Sequence, residues 1–198
     1  MKKHIQLFNR IAPVYGLFYT RQYKRYMNFM RVFNQWVPQS EYPTGLDIGF
    51  GTGALLSALT QFNYRMEGIE GAKNMVQIAK KKSGLSTLKL LHQDVLKGLP
   101  YADNTFDFVI ASYMVHGLEA DDRIALLKAM KRVASHYVIL YEHSKSASRF
   151  IQWIERLEGG QYFSFKNNIL AELNTIFPTH RCIAYRKHIE VYICAVNA

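Results

Sequence analysis

The chain has little cysteine: of 198 residues only Cys182 and Cys194 are cysteine, both late and in apolar or strand-like sequence. That excludes a disulfide framework, leaves no cysteine spacing for a metal, and fits a reducing, cytoplasmic setting. Long apolar runs are missing too. No stretch approaches the roughly 18 apolar residues that a membrane-spanning helix needs, and Asn9, Arg10 and Pro13 interrupt the segment where a secretory signal would be apolar, so neither is expected. Acid is absent before Glu41, whereas Lys2, Lys3, Arg10, Arg21, Lys24, Arg25 and Arg31 all precede it, and the net charge is +10. A basic arm of this kind can meet nucleic acid, anionic lipid or an acidic substrate, and charge alone does not choose among them.

What is present is ordinary for one globular domain: 49% hydrophobic and 20% charged residues, in a length that supports one compact core. A single domain over 1–198 is expected. Residues 4 to 37 carry Leu7, Ile11, Tyr15, Phe18, Tyr23, Met27, Met30 and Phe33 at helical intervals, with Pro13 expected to separate a short first helix from a longer second. From residue 44 strands alternate with helices. GLDIG reads as a buried strand and ALLSALTQF as the helix after it; YRMEGIE is a strand, AKNMVQIAKKKSG a helix closed by Gly84, and TLKLLHQD and FDFVIASYMV are strands. DDRIALLKAMKRVAS places Ile124, Leu127, Met130 and Val133 on one helical face, with Asp121 and Asp122 at the positive end of the helix dipole. YVILYEH is a further strand. This alternation predicts a doubly wound, mostly parallel α/β sheet, since parallel strands need crossover helices. After the helix NNILAELNTIF, the runs RCIAYRKH and IEVYICAV lie too close for a crossover and predict a C-terminal antiparallel hairpin at a sheet edge.

LDIGFGTGALL combines Asp47 at a strand end with Gly49, Gly51 and Gly53, so backbone there can approach a ligand closely. The spacing is ambiguous. Gly49, Gly51 and Ala54 also satisfy the relaxed dinucleotide fingerprint, and Glu70 lies where a ribose-binding acid is expected, so two cofactor classes stay open on the loop alone. Asp94, after the third strand, is placed to accept from an exocyclic adenine amine. LPYADNTFDFVIASYMVHGL then supplies a loop at the C-terminal edge of the fourth strand, the edge where open α/β sheets bind ligands.

The ordered set DIGFGTG, GIEGAKNMVQIA, QDVLKGLP and NTFDFVIASYMVHGL resembles the class I S-adenosylmethionine-dependent methyltransferases, especially the small-molecule branch that includes the ubiquinone and menaquinone biosynthesis enzymes. The resemblance runs from about Phe8 to Glu142. It implies a Rossmann-like, seven-stranded sheet with the C-terminal hairpin at its edge, residues 44–198 as the core, and residues 1–40 as helices forming a lid. By position it implies that Asp47, Gly49, Phe50, Gly51 and Gly53 surround the methionine part of S-adenosylmethionine, that Glu70 and Gly71 hold the ribose, that Asp94 and the Val95 backbone read adenine, and that Ala111 and Ser112 meet the methionine amine. S-adenosylhomocysteine would be the product. The chain departs from the family where it has Glu70 and Ala72, since aspartate and a later serine are more common, and where Gly16 replaces a frequent aspartate in FNRIAPVYGLFY.

Methyl transfer from a sulfonium needs chiefly alignment and exclusion of water; a base is needed only where the acceptor must lose a proton. His116, just past the fourth strand, is the leading base candidate, against a structural role. Tyr113 and His143 read as packing residues. Tyr15, Tyr19 and Tyr23 lie on the lid, where their faces could close over a sulfonium or an apolar acceptor, against ordinary helix packing. The acceptor is expected to be a small molecule, with the basic arm open to peripheral membrane contact. Two other classes stand beside this: a nicotinamide-dependent oxidoreductase on the same glycine loop, and a non-catalytic cofactor-binding adaptor. Nucleic acid ranks behind them, since no NPPY-like tetrad, paired catalytic cysteines or appended RNA-binding module occurs.

Overall fold

The computed structural model describes residues 2–144 and 161–197, folded as two compact units, Met1–Lys97 and Gly98–Ala198. The first unit contains α1 (Lys2–Leu17), α2 (Tyr19–Trp36), β1 (Thr44–Ile48), α3 (Ala54–Gln61), β2 (Arg65–Glu70), α4 (Lys73–Lys80) and β3 (Leu90–His92). Its strands run parallel in the order β3-β2-β1, with Asp47 opposite Gly68 and Gly68 opposite Leu90. Leu46 and Ile48 of β1 are wholly buried, as a strand covered on both faces requires. Helix α3 is apolar nearly all round because it is buried, and it packs with α2, whose Phe29, Met30 and Phe33 have no exposed surface. Helix α1 packs with α4, where Ala12 meets Ala72 and Met75, with Phe8, Tyr15 and Ile78 against them.

Two expectations about boundaries need correction. Pro13 does not divide the N-terminal helices: α1 runs through it and the break falls at Phe18. Proline removes the N–H that would reach the Asn9 carbonyl, but that carbonyl accepts from Asn74 Nδ2 at 2.9 Å, so the loss is made good from α4. Helix α4 ends at Lys80 rather than at Gly84. The N–H groups of Lys81 and Lys82 turn back to Ile78 and Ala79, three residues away, tightening the chain into turns before Gly84.

The second unit contains β4 (Phe106–Ser112), α5 (Ala120–Val133), β5 (Ala134–His143), α6 (Gln161–Ile176), β6 (His180–Arg186) and β7 (Ile189–Ala195). Strand β5 runs parallel to β4 and antiparallel to β7, and β6 forms a hairpin with β7, giving the order β4-β5-β7-β6. The hairpin therefore inserts its second strand next to β5 and leaves β6, partly exposed along its length, outside it. The seven strands, mostly parallel with an antiparallel C-terminal pair, form the Rossmann-like α/β set that the alternation predicts. On α5 the buried residues are Arg123, Leu126, Leu127, Met130 and Val133, whereas Ile124 is only half-buried. The stripe is shifted because Arg123 is taken inward by Glu172 of α6, with two contacts of 2.6 Å, and by the Leu118 carbonyl at 2.8 Å. Among the described residues no helix is long and apolar enough to cross a membrane, and no cluster of three potential metal ligands occurs.

Candidate functional site

In the first unit the chain leaves β1 through a loop in which Gly49, Gly51 and Gly53 have φ of 71°, 55° and 82°. This left-handed region is one that side chains rarely adopt. At Gly53 space is short as well, since an added Cβ would come 2.5 Å from the end of the Leu85 side chain and 3.2 Å from Ala79 Cβ, so that neighbours would have to shift. The carboxylate at the end of β2 holds the loop: Glu70 Oε2 accepts the Gly51 N–H at 2.9 Å, and Oε1 accepts the Ala72 N–H at 2.7 Å. Burial pushes the Glu70 carboxyl up, and the N–H groups of Ala72, Gly51 and Gly71 and the nearby His92 only partly offset this.

Asp47, one strand over, is 1% exposed, and neither of its carboxyl oxygens has a hydrogen-bond partner among the described residues. Burial, and then the charge of Glu70, push its carboxyl well above the usual carboxylate range. An unpaired buried carboxyl is costly, so a native chain keeps one where a ligand supplies the missing donors or charge. Here it stands beside a loop shaped by three left-handed glycines.

The end of β3 is tied to the same loops. The Gln93 N–H donates to the Glu70 carbonyl at 3.0 Å, and His92 Nε2 lies 3.0 Å from the Gly71 carbonyl. Asp94 follows, half-buried, its Oδ1 accepting the Leu96 N–H at 3.1 Å to open a single 3-10 turn, Val95–Lys97, with Val95 buried. The structure thus brings Asp47, the glycine loop, Glu70, Gly71, Asp94 and Val95 to one end of three parallel strands. Phe50 contributes backbone there, because its ring packs against Gly68, where a Cβ would sit 2.5 Å from it. Ile5 of α1 lies over Gly71, 2.9 Å from the position of an added Cβ, so α1 covers this loop.

The three N-terminal tyrosines singled out in the sequence are engaged in contacts with their neighbours. Tyr15 meets Phe8 edge-on at 5.8 Å. The Tyr19 hydroxyl donates to Ser57 Oγ at 2.7 Å, its ring stacks on Tyr23 at 6.2 Å, and Lys82 Nζ stands 4.1 Å from the ring centre. Burial pushes the Tyr19 hydroxyl up, against the lowering effect of Ser57.

In the second unit β4 ends in Ala111, wholly buried, and Ser112, half-buried. The next residue, Tyr113, has φ of 51°, a strained conformation for a tyrosine, and is held there by its N–H to the Tyr141 carbonyl at 2.9 Å and by its ring 4.3 Å from that of His143. The chain then enters a 3-10 turn, Val115–Gly117, that carries His116. His116 is 6% exposed, and its Nδ1 lies 2.5 Å from Oε2 of Glu142, which has no exposed surface. The other oxygen, Oε1, accepts the N–H groups of Val115 at 2.9 Å and Met114 at 3.2 Å. Burial alone would push the Glu142 carboxyl up, but the charge and hydrogen bond of His116, with His143 and the Val115 N–H, hold it below its ordinary value. Around the imidazole stand His143, Tyr162 and Phe165, with ring centres 5.9, 6.2 and 6.3 Å away. Sequence singles out His116 but not Glu142. The available signal was a lone acid closing the apolar run YVILYEH, at the same end of β5 as His116 is of β4.

A family model described as a methyltransferase domain matches residues 46–141. A demethylmenaquinone methyltransferase of Bacillus velezensis is 32% identical over 138 residues, covering 61% of this chain and 58% of its own length. An uncharacterised methyltransferase of Alkaliphilus oremlandii is 31% identical over 129 residues, covering 60% and 56%. The chain thus spans somewhat over half the length of these curated relatives. The crystal structure of a putative S-adenosylmethionine-dependent methyltransferase from Methanococcus maripaludis superposes with a TM-score of 0.71 at 16% identity, covering 96% of this chain and 94% of that one, which is a likeness of fold.

Proposed function

We propose that this chain, whose residues 46–141 match a methyltransferase domain model and whose sheet is Rossmann-like, binds S-adenosylmethionine and methylates a small-molecule acceptor. The observation that carries this reading is Asp47, buried with both carboxyl oxygens unpartnered beside Glu70. A cofactor with an ammonium, a sulfonium and a ribose diol answers two buried carboxyls; a dinucleotide would bring its pyrophosphate to the same loop, against them. Asp47 and the Gly49–Gly53 backbone would hold the methionine part. Glu70 and Gly71 would hold the ribose, and Asp94 and Val95 the adenine. Glu70 already accepts from the Gly51 and Ala72 N–H groups, yet a carboxylate has about four lone-pair directions, so capacity for ribose hydroxyls remains.

The bound cofactor supplies a methyl group on a sulfonium, already activated for in-line displacement. The protein's share is therefore to bind, orient and exclude water. Where the acceptor is a phenol or an activated ring carbon, His116 takes its proton at the ring nitrogen away from Glu142, while Glu142 fixes the ring through Nδ1 and stabilises the resulting imidazolium. His143, Tyr162 and Phe165 give the imidazole aromatic surroundings, suited to a flat, apolar acceptor. Demethylmenaquinone methyltransferases among the relatives support a quinol-like acceptor. The two cysteines, without a disulfide between them, suit a cytoplasmic setting.

The test is calorimetric titration of S-adenosylmethionine, S-adenosylhomocysteine and NAD into wild type, Asp47→Asn and Asp94→Ala. The expected result is binding of both sulfur ligands, weakened about tenfold or more by each substitution, as the loss of one charged hydrogen-bond partner implies. Binding of NAD alone, or of none of the three by folded protein, overturns the proposal.

A further inference from the structure

The exposed face of α1 and its junction with α2 serve no part of the site described above. Arg10, Pro13, Val14 and Leu17 recur at intervals of three and four, so they share one stripe of α1, and all four are exposed. The opposite face carries Ala12, wholly buried, and Tyr15, packed against α4. Val14 is 53% exposed, Leu17 82% and Phe18 50%, which places three apolar side chains at one helical corner in water. Directly after the corner, α2 presents Arg21 and Lys24 to solvent. No acid lies anywhere before Glu41. Single exposed apolar residues are ordinary, but a cluster of three whose charged neighbours along the chain are all cations is not.

We propose that this corner docks on an anionic lipid surface, with Val14, Leu17 and Phe18 entering the headgroup–acyl boundary and Arg10, Arg21 and Lys24 meeting the headgroups. The division of labour is that of an interfacial amphipathic segment, in which apolar area and cationic charge bind together. Two of the three tip residues, Val14 and Leu17, are aliphatic, and Leu17 is the most exposed; they offer neither charge nor a stacking face, which favours a bilayer over single-stranded nucleic acid, whose sites set several aromatic platforms among cations where this corner has Phe18 alone. The inference stands apart from the identity of the methyl acceptor.

The experiment is co-sedimentation with vesicles of phosphatidylcholine alone and of phosphatidylcholine with about 30% phosphatidylglycerol. Wild type is expected to partition about tenfold more strongly onto the anionic vesicles, with the preference reduced at high salt. L17D/F18D should lose binding to both by about tenfold, and R21E/K24E should lose the preference for anionic lipid. Circular dichroism of both variants establishes that they are folded. Wild-type binding indifferent to phosphatidylglycerol, or L17D/F18D binding as wild type does, overturns the proposal. So does a dimer in sedimentation velocity that L17D/F18D dissociates, or a tighter complex with RNA than with vesicles.

Discussion

Asn74 of α4 donates two hydrogen bonds to Asn9 of α1: its N–H to Asn9 Oδ1 at 2.9 Å, and its Nδ2 to the Asn9 carbonyl at 2.9 Å. The first satisfies an N–H in the opening turn of α4, which has no partner within its helix. The second serves the carbonyl that Pro13 leaves without a donor. One residue pair thus repairs two backbone defects and fastens the helix that covers Gly71.

Replacing Asn74 by alanine removes the second bond and should loosen α1 locally. The site is exposed, so the effect is about 1 kcal/mol, or roughly a fivefold rise in opening. Hydrogen exchange should quicken in α1 and stay unchanged in α2, which is anchored independently by Phe29, Met30 and Phe33. Equal change in both helices would show that the clamp is not local.

Asp47→Asn should bind the cofactor less well and yet fold more stably at neutral pH. The folded carboxyl titrates well above its ordinary value, so ionisation opposes folding: stability is greatest below the unfolded value and declines as pH rises through the folded one. An amide of the same shape escapes that penalty. Thermal unfolding should therefore favour the variant at pH 7 and converge with wild type in acid, a trade of stability for function. A variant less stable than wild type at neutral pH would contradict the assigned direction.

Glu142→Gln tests the opposite sign. The Glu142 carboxyl is held below its ordinary value of 4.5, so its contribution is present above that value and is lost as pH falls through the folded one. The stability advantage of wild type over the variant should be full just above this range and shrink below it. In turnover with an acceptor that must lose a proton, the variant should fall about 10- to 100-fold in kcat with a displaced pH profile, as loss of a base's orienting partner implies. Unchanged pH profiles would reduce Glu142 to a packing residue.

Arg123→Ala should be the most destabilising of these changes, at about 3–5 kcal/mol, since it strands Glu172 as an unpaired carboxylate. Arg123 has no exposed surface, and it bridges α5 to α6. Chemical denaturation is the measurement. Arg123→Met with Glu172→Leu should recover much of the loss, because apolar packing replaces the pair without leaving a buried charge.

Local pattern carried most of the fold into the sequence. Alternating runs define the strands and helices, two close C-terminal runs define a hairpin, and glycines at 49, 51 and 53 mark a loop of left-handed backbone after β1. Those signals are short-range consequences of period, propensity and backbone freedom, so no partner elsewhere in the chain is needed to read them. Whether Pro13 ends a helix, whether Arg123 faces inward, whether Asp47 is left unpartnered and whether His116 stands alone were settled only in three dimensions. In each case the answer came from a residue far along the chain or from the burial it creates: Asn74 for Pro13, Glu172 for Arg123, Glu70 beside Asp47, and Glu142 for His116. A charge or a hydrogen-bond defect is tolerated or rejected according to its surroundings, and tertiary packing alone creates those surroundings.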